Sequence, residues 1–216
     1  MDTVPTSTLQ LSLFGQFELA GPRGPVDLTS KKLTALLAFL ACTAPQAHSR
    51  DKLMTLLWGS HFDAQARQNL RQALTRLRRA LSEDALVTAG ESVSLQPGAI
   101  ACDVARFEAL LRDGSRKALI GAMGLYKGGL LADMEIPEEA WTEWVGAQRQ
   151  RLEGLALDAM TKLGEQELQA GNLDHALNAA NRAIAVNSLR EDAHRLLMRV
   201  LAAQGRRADA RSTTKT

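Results

Sequence analysis

The sequence predicts a mainly α-helical protein with a small β component, built as two domains. Three observations carry this. Residues 9–19 and 86–95 alternate apolar and polar side chains at the two-residue period of strands. Residues 31–81, between those patterns, hold three apolar stripes at helical spacing. From Asp103 onward every periodic segment is helical. At 216 residues the chain is long enough for two cores. The boundary is placed near residue 100, giving domains over 1–100 and 101–216.

The elements follow in order. Leu9, Leu11 and Leu13 alternate with polar neighbours, as do Phe17 and Leu19, and Gly15 breaks the run. Gly21-Pro-Arg-Gly-Pro25 reads as a turn and Val26-Asp-Leu28 as a short return strand. Thr29 or Ser30 then caps a helix with Leu33, Leu36, Leu37 and Leu40 on its inner face. Ala44-Pro45 ends it. Ser49 caps a second helix, Arg50 to Trp58, with Leu53, Met54, Leu57 and Trp58 inward. Gly59-Ser-His-Phe62 leads into a third helix, Asp63 to Leu81, whose Leu70, Ala73, Leu74, Leu77 and Leu81 form one stripe. Leu86-Val-Thr and Ser92-Val-Ser-Leu95 flank Ala89-Gly90-Glu91, a hairpin signal, and Gln96-Pro-Gly98 closes the module. Strand pair, three helices and hairpin in that order describe a winged helix-turn-helix with an N-terminal sheet.

In the second domain, Val104, Phe107, Leu110 and Leu111 give one stripe and residues 116–126 another. Pro137 falls at the first turn of a long helix running to about Ala170, where Trp141 and Trp144 at i, i+3 predict packing between helices. Gly171-Asn-Leu-Asp-His-Ala-Leu177 and Gly205-Arg-Arg-Ala-Asp-Ala-Arg211 align at an offset of 34 residues, with Ala176 matching Ala210 and Leu163 matching Leu197. A helical period of that length is the tetratricopeptide signature. Asp113-Gly114-Ser-Arg-Lys-Ala-Leu119 resembles an earlier, shorter copy. The last copy reaches Lys215-Thr216 before its second helix is complete, so a longer chain is expected.

The net charge of +2 matters less than its distribution. Residues 101–216 hold sixteen basic and sixteen acidic side chains, so the excess lies in the first domain. It concentrates on the third helix, which has five arginines against one acid, Asp63. Surface helices ordinarily mix their signs. Arginine and glutamine pair in a bidentate way with guanine and adenine edges, and arginine neutralises phosphate. Duplex DNA is therefore the expected ligand. Arg71, Gln72 and Arg76 are the candidates for reading bases. Gln68, Thr75, Arg78 and Arg79 are the candidates for phosphate on the same helix. Lys31 and Lys32 join them from a helix start, where cations are unfavourable and so suggest use, as does Arg50. A solvated surface helix is the bland alternative.

Other functions find little support. The apolar run Leu33 to Cys42 is too short to span a bilayer, and the N-terminus has no signal pattern. Cys42 and Cys102 lack a CxxC spacing and read as reduced, buried thiols. These features point to the cytoplasm, with nucleoid association on binding. His48, His61, His175 and His194 fall on separate segments, and no phosphate loop or nucleophile elbow is present, so no enzyme, metal or cofactor is expected. A tetratricopeptide scaffold would explain 101–216 but not the strands, the hairpin or the cationic helix. The regulatory front end of a longer multidomain protein is a further alternative.

An ordered set of eight segments carries a family resemblance. They are Leu11-Ser-Leu-Phe-Gly15, Lys32 to Leu40, Ser49 to Trp58, Leu74 to Leu81, Ala85-Leu-Val87, Asp103-Val-Ala-Arg-Phe107, Leu125-Tyr-Lys-Gly128 and Arg149-Gln-Arg-Leu152. From about residue 9 onward the chain resembles the Streptomyces antibiotic regulatory protein type of bacterial transcription factor. In that family an OmpR-like winged helix-turn-helix is fused to a bacterial transcriptional activation domain. The resemblance implies an activator whose third helix enters the major groove, whose preceding loop faces RNA polymerase, and whose wing touches the minor groove. It also leaves room for a homodimer. The wing here, Thr88 to Ser94, departs from the pattern by lacking Gly-Tyr and by containing Glu91.

Overall fold

The computed structural model describes residues 9–205. The elements run β1 Leu9–Ser12, β2 Glu18–Gly21, β3 Gly24–Pro25, α1 Lys31–Thr43, β4 His48–Ser49, α2 Arg50–Trp58, α3 Asp63–Ala80, a single 3-10 turn Glu83–Ala85, β5 Leu86–Ala89, β6 Ser92–Leu95, β7 Ile100–Cys102, α4 Asp103–Asp113, α5 Arg116–Leu125, α6 Glu139–Gln169, α7 Leu173–Val186 and α8 Glu191–Ala203. They form two compact units, one of residues up to 106 with 129–149, the other of 107–128 with residues from 150 onward.

The first unit holds both sheets. One has the order β3-β2-β1-β7 and the other β4-β6-β5. Leu11 and Leu19 face each other across the antiparallel β1–β2 pair and are both buried. The sheet is completed by β7, which pairs parallel to β1 with Leu9 opposite Ile100. That partner is absent from the sequence reading, because three residues show no period. The return strand is Gly24–Pro25, not Val26–Leu28. Gly21 pairs with Gly24 across a tight turn, and Gly24 takes a φ of 115° open only to glycine. Ser30 holds the N-cap position of α1 without a side-chain cap bond, whereas the Ser49 hydroxyl accepts from the Lys52 amide at 3.2 Å. Pro137 precedes α6 and does not lie in its first turn. Cys102 is buried in strand β7, Cys42 is only half-buried, and neither is in a disulfide.

Three of the eight family-like segments, those holding Leu13, Asp103 and Arg149, meet at one end of β1. The Asp103 carboxylate accepts from the backbone amides of Leu13 (2.9 Å) and Phe14 (3.0 Å). The Leu131 amide donates to the Leu13 carbonyl and the Gly15 amide to the Gly129 carbonyl, just past Lys127-Gly128. Leu131 is forced to a φ of 48°, uphill for a leucine. Arg149 holds that loop by donating to the carbonyls of Leu130 and Leu131. Trp141 and Trp144 lie 5.1 Å apart, and Trp144 meets Phe39 of α1 edge-on at 5.0 Å, which is the packing their spacing predicts.

β4 is also missing from the sequence reading. It places His48 opposite Val93 of β6, buried, with Nε2 2.8 Å from the Thr43 hydroxyl and the ring 4.6 Å from Phe39. Burial, and secondly the charge of Lys52, hold its pKa below the ordinary value of 6.5. The unfolded chain therefore binds this proton more readily than the fold does. Stability from His48 is complete above about pH 6.5 and declines as pH falls through that value, by at most about 1.4 kcal/mol per pH unit. Urea midpoints are expected to drop between pH 7.5 and 6, and His48→Gln to lose most of that drop.

The second unit is helical throughout its described residues. Ala176, Ala180, Leu196 and Val200 form its α7–α8 core, with Leu168, Leu177 and Leu197 against it. Gly114, Gly171 and Gly205 all turn through positive φ, 64°, 76° and 77°, at the ends of α4, α6 and α8. This is the shared turn that the alignment of repeats predicts. Gly164 permits a close approach of helices, since a Cβ there would lie 2.4 Å from the Leu196 side chain. Ala210 and the rest of the last copy lie outside the described residues.

Candidate nucleic-acid interface

The third helix is held by its apolar stripe. Ala66, Leu70, Ala73, Leu74 and Leu77 are all buried, and burial of each leucine contributes about 2 kcal/mol, which fixes the rotation of the helix. Asp63 in the first turn and Arg78 and Arg79 in the last complement the helix dipole.

That rotation leaves Arg71, Gln72, Arg76, Gln68, Thr75 and Arg79 exposed, and Arg78 half-buried. The side chains of Arg71, Gln72, Arg76, Gln68 and Arg79 have no hydrogen-bond or ion-pair partner among the described residues. The structure divides them between two sides of α3. On one side Arg71 shares a groove of about 620 Å³ with Arg50, Arg67 and Glu91. On the other, Gln72 and Arg76 share a groove of about 320 Å³ with Asn69, Lys32 and His61. Gln68, Thr75 and Arg79 occupy the crest between them.

Three candidates are already engaged. The Thr75 hydroxyl donates to the Arg71 carbonyl at 3.0 Å, so its proton is committed to its own helix. Arg78 donates to the Thr88 hydroxyl of the wing at 3.3 Å. Arg50, half-buried, lies 3.7 Å from the exposed Glu91 carboxylate, a loose pair. Lys31 is exposed and lines a separate groove with Glu135, Pro137 and Arg149, away from those flanking α3.

Lys32 is engaged as well. Its ammonium donates to Glu138 at 2.8 Å, so its charge at a helix start is offset by a buried carboxylate, while the half-buried side chain still lines the groove with Gln72 and Arg76. Glu138 itself is the residue that sequence reasoning missed. Its carboxylate is 4% exposed and also accepts from the Ser60 amide (3.0 Å) and hydroxyl (2.8 Å). Burial alone would raise its pKa, but the bonds from Lys32 and Ser60 outweigh burial and hold it below the usual carboxylate range. Arg67 was missed too. It lies one turn before Arg71 on the same side of α3, and that spacing is the signal that could have found it.

Among the described residues no cluster of His, Cys, Asp and Glu could hold a metal ion, and no helix is long and apolar enough to cross a membrane.

Two family models match the chain. "Transcriptional regulatory protein, C terminal" covers residues 23–91, the span of α1 to the wing. "Bacterial transcriptional activator domain" covers residues 102–213. The chain belongs to the bacterial transcriptional activator domain family. It is a transcriptional regulator of the Streptomyces antibiotic regulatory protein type, not an enzyme. It is 25% identical to the transcriptional regulatory protein MoaR1 of Mycobacterium bovis, over 92% of this chain and 68% of that protein. It is 26% identical to the regulatory protein AfsR of Streptomyces griseus, over 90% of this chain and 21% of AfsR. Mycobacterium tuberculosis EmbR, solved in complex with a low-affinity phosphopeptide, has the same fold, with a TM-score of 0.81 at 21% identity over 95% of this chain and 57% of that one. This regulator thus spans about a fifth of AfsR and just over half of the EmbR chain.

Proposed function

We propose that this regulator is a sequence-specific DNA-binding activator that reads the major groove with α3. One observation carries the reading: a helix locked by five buried apolar residues turns an outer face of unpartnered arginine and glutamine to solvent. A recognition helix needs those two properties, a fixed rotation and free bidentate donors. Arg71, Gln72 and Arg76 read bases. Gln68, Arg78 and Arg79 bind phosphate, with Lys31 and Arg50 flanking. Thr75 joins them only if its hydroxyl leaves the Arg71 carbonyl.

The division of labour is a DNA-binding domain over 1–100 and a tetratricopeptide-like activation domain over 101–216, which contacts RNA polymerase or a second copy of the chain. The protein acts in the cytoplasm, on the nucleoid, without a cofactor. Selection of bound duplexes from a random pool tests this, followed by anisotropy titrations across a salt series. Affinity is expected to fall with salt at a log–log slope of about −5, from about five or six neutralised phosphates. No binding to any duplex at low salt would leave only a scaffold.

A further inference from the structure

The loop that leads into α3 is four residues long, Gly59 to Phe62, and it is tied down by a side chain from far along the chain. Glu138 lies in the stretch matched by the activator-domain family, whereas Lys32 and Ser60 lie in the stretch matched by the regulatory C-terminal family. Its own backbone is fixed at the start of α6, where the Glu138 carbonyl accepts from the Thr142 amide (3.0 Å) and hydroxyl (3.1 Å). One carboxylate oxygen receives the Lys32 ammonium and the Ser60 hydroxyl, each at 2.8 Å; the other receives the Ser60 amide at 3.0 Å. His61 Nδ1 stands 3.8 Å away. Burying such a pair is a poor route to stability, because desolvation consumes most of the Coulombic gain. What it supplies is geometry. Ser60 is two residues before Phe62, the N-cap of α3, so its captured amide and hydroxyl set the angle at which the helix starts.

We propose that Glu138 is a positioning residue for DNA reading: it fixes the entry to α3 through Ser60 and holds the Lys32 ammonium in an internal pair at the edge of the groove that Gln72 and Arg76 share. The inference rests on α3 being the reading helix. Activator-domain sequence thereby bears on sequence selectivity without touching DNA.

Anisotropy titrations on the selected duplex and on random duplex, across a salt series, test it in the full chain. Glu138→Gln keeps the size of the side chain and removes its charge. The ratio of specific to random affinity is expected to fall about tenfold. The salt slope on random duplex is expected to steepen by about 1, because the freed Lys32 ammonium can reach phosphate. A role in stability alone would lower both affinities by one factor and leave ratio and slope unmoved. Ser60→Ala, which spares the Lys32–Glu138 pair, should lower the ratio without changing the slope, and it serves if the Gln variant does not fold. Lys32→Gln should leave the slope as in the parent. An unchanged ratio in both Glu138→Gln and Ser60→Ala overturns the proposal, as does a slope flattened by about 1 in Lys32→Gln. Those outcomes leave parental DNA binding intact. A parent that binds no duplex overturns the reading of α3 and this inference together.

Discussion

Replacing Asp103 with alanine is expected to lower the free energy of unfolding by about 3 kcal/mol. The carboxylate accepts from the amides of Leu13, Phe14 and Val104, all within 3.0 Å. Leu13 and Phe14 are fully buried, so their amides cannot turn to bulk water when the acceptor is gone. A hydrogen bond to a charged group is worth about 1.5–3 kcal/mol, and an orphaned buried donor costs about 1–3 kcal/mol. Two orphans partly relieved by an invading water give the figure above. Asp103 also starts α4 directly after β7, so the loss loosens the parallel β1–β7 pair as well. Asparagine retains one acceptor oxygen and should recover about half. Urea unfolding followed by far-ultraviolet circular dichroism measures both variants. A loss below about 1 kcal/mol for alanine would mean that Leu13 and Phe14 find other partners, and the junction would not be a keystone of the sheet.

Much of this architecture is legible in the sequence because it rests on local periodicity. The stripe Leu70, Ala73, Leu74, Leu77 has only one way to bury itself, and the opposite face follows from it. The hairpin over 86–95 is signalled by alternation around Gly90, whose φ of 58° suits a tight turn. The two strands that escaped, β4 and β7, are two and three residues long, and a strand that short has no pattern to read. Side-chain partnering is invisible for another reason. Glu138 meets Ser60 and Lys32 across 78 and 106 residues, and nothing in the run Pro137-Glu138-Glu139 separates a buried acceptor from an ordinary acidic helix start. Lys32 looks like a free cation for the same reason. The helical angle already separates Arg71 from Arg76 on the two shoulders of α3, but the grooves they line are not legible, since both contain residues from neighbouring elements.

Arg76→Ala is expected to cost about 1–3 kcal/mol of specific DNA affinity and to relax the preference at one base pair. Arg76 is exposed, has no partner among the described residues, and faces the same groove as Gln72, so nothing inside the protein competes for its guanidinium. Arg71→Ala should act by a similar amount at a different base pair, because Arg71 sits on the opposite side of the helix with Arg50 and Arg67. The two losses should add to within about 0.5 kcal/mol, since the side chains share no partner. Combined, they would weaken specific binding about a hundredfold or more while leaving much of the phosphate-driven binding in place. Arg78→Ala is the contrasting variant. It reaches the wing through Thr88 and is expected to weaken all duplexes alike, flattening the salt slope by about 1. Titration of each variant against the selected site and its single-base neighbours separates the two roles. If Arg71→Ala and Arg76→Ala weakened every duplex equally, the helix would be gripping the backbone, and base reading would have to come from the crest residues Gln68 and Arg79 instead.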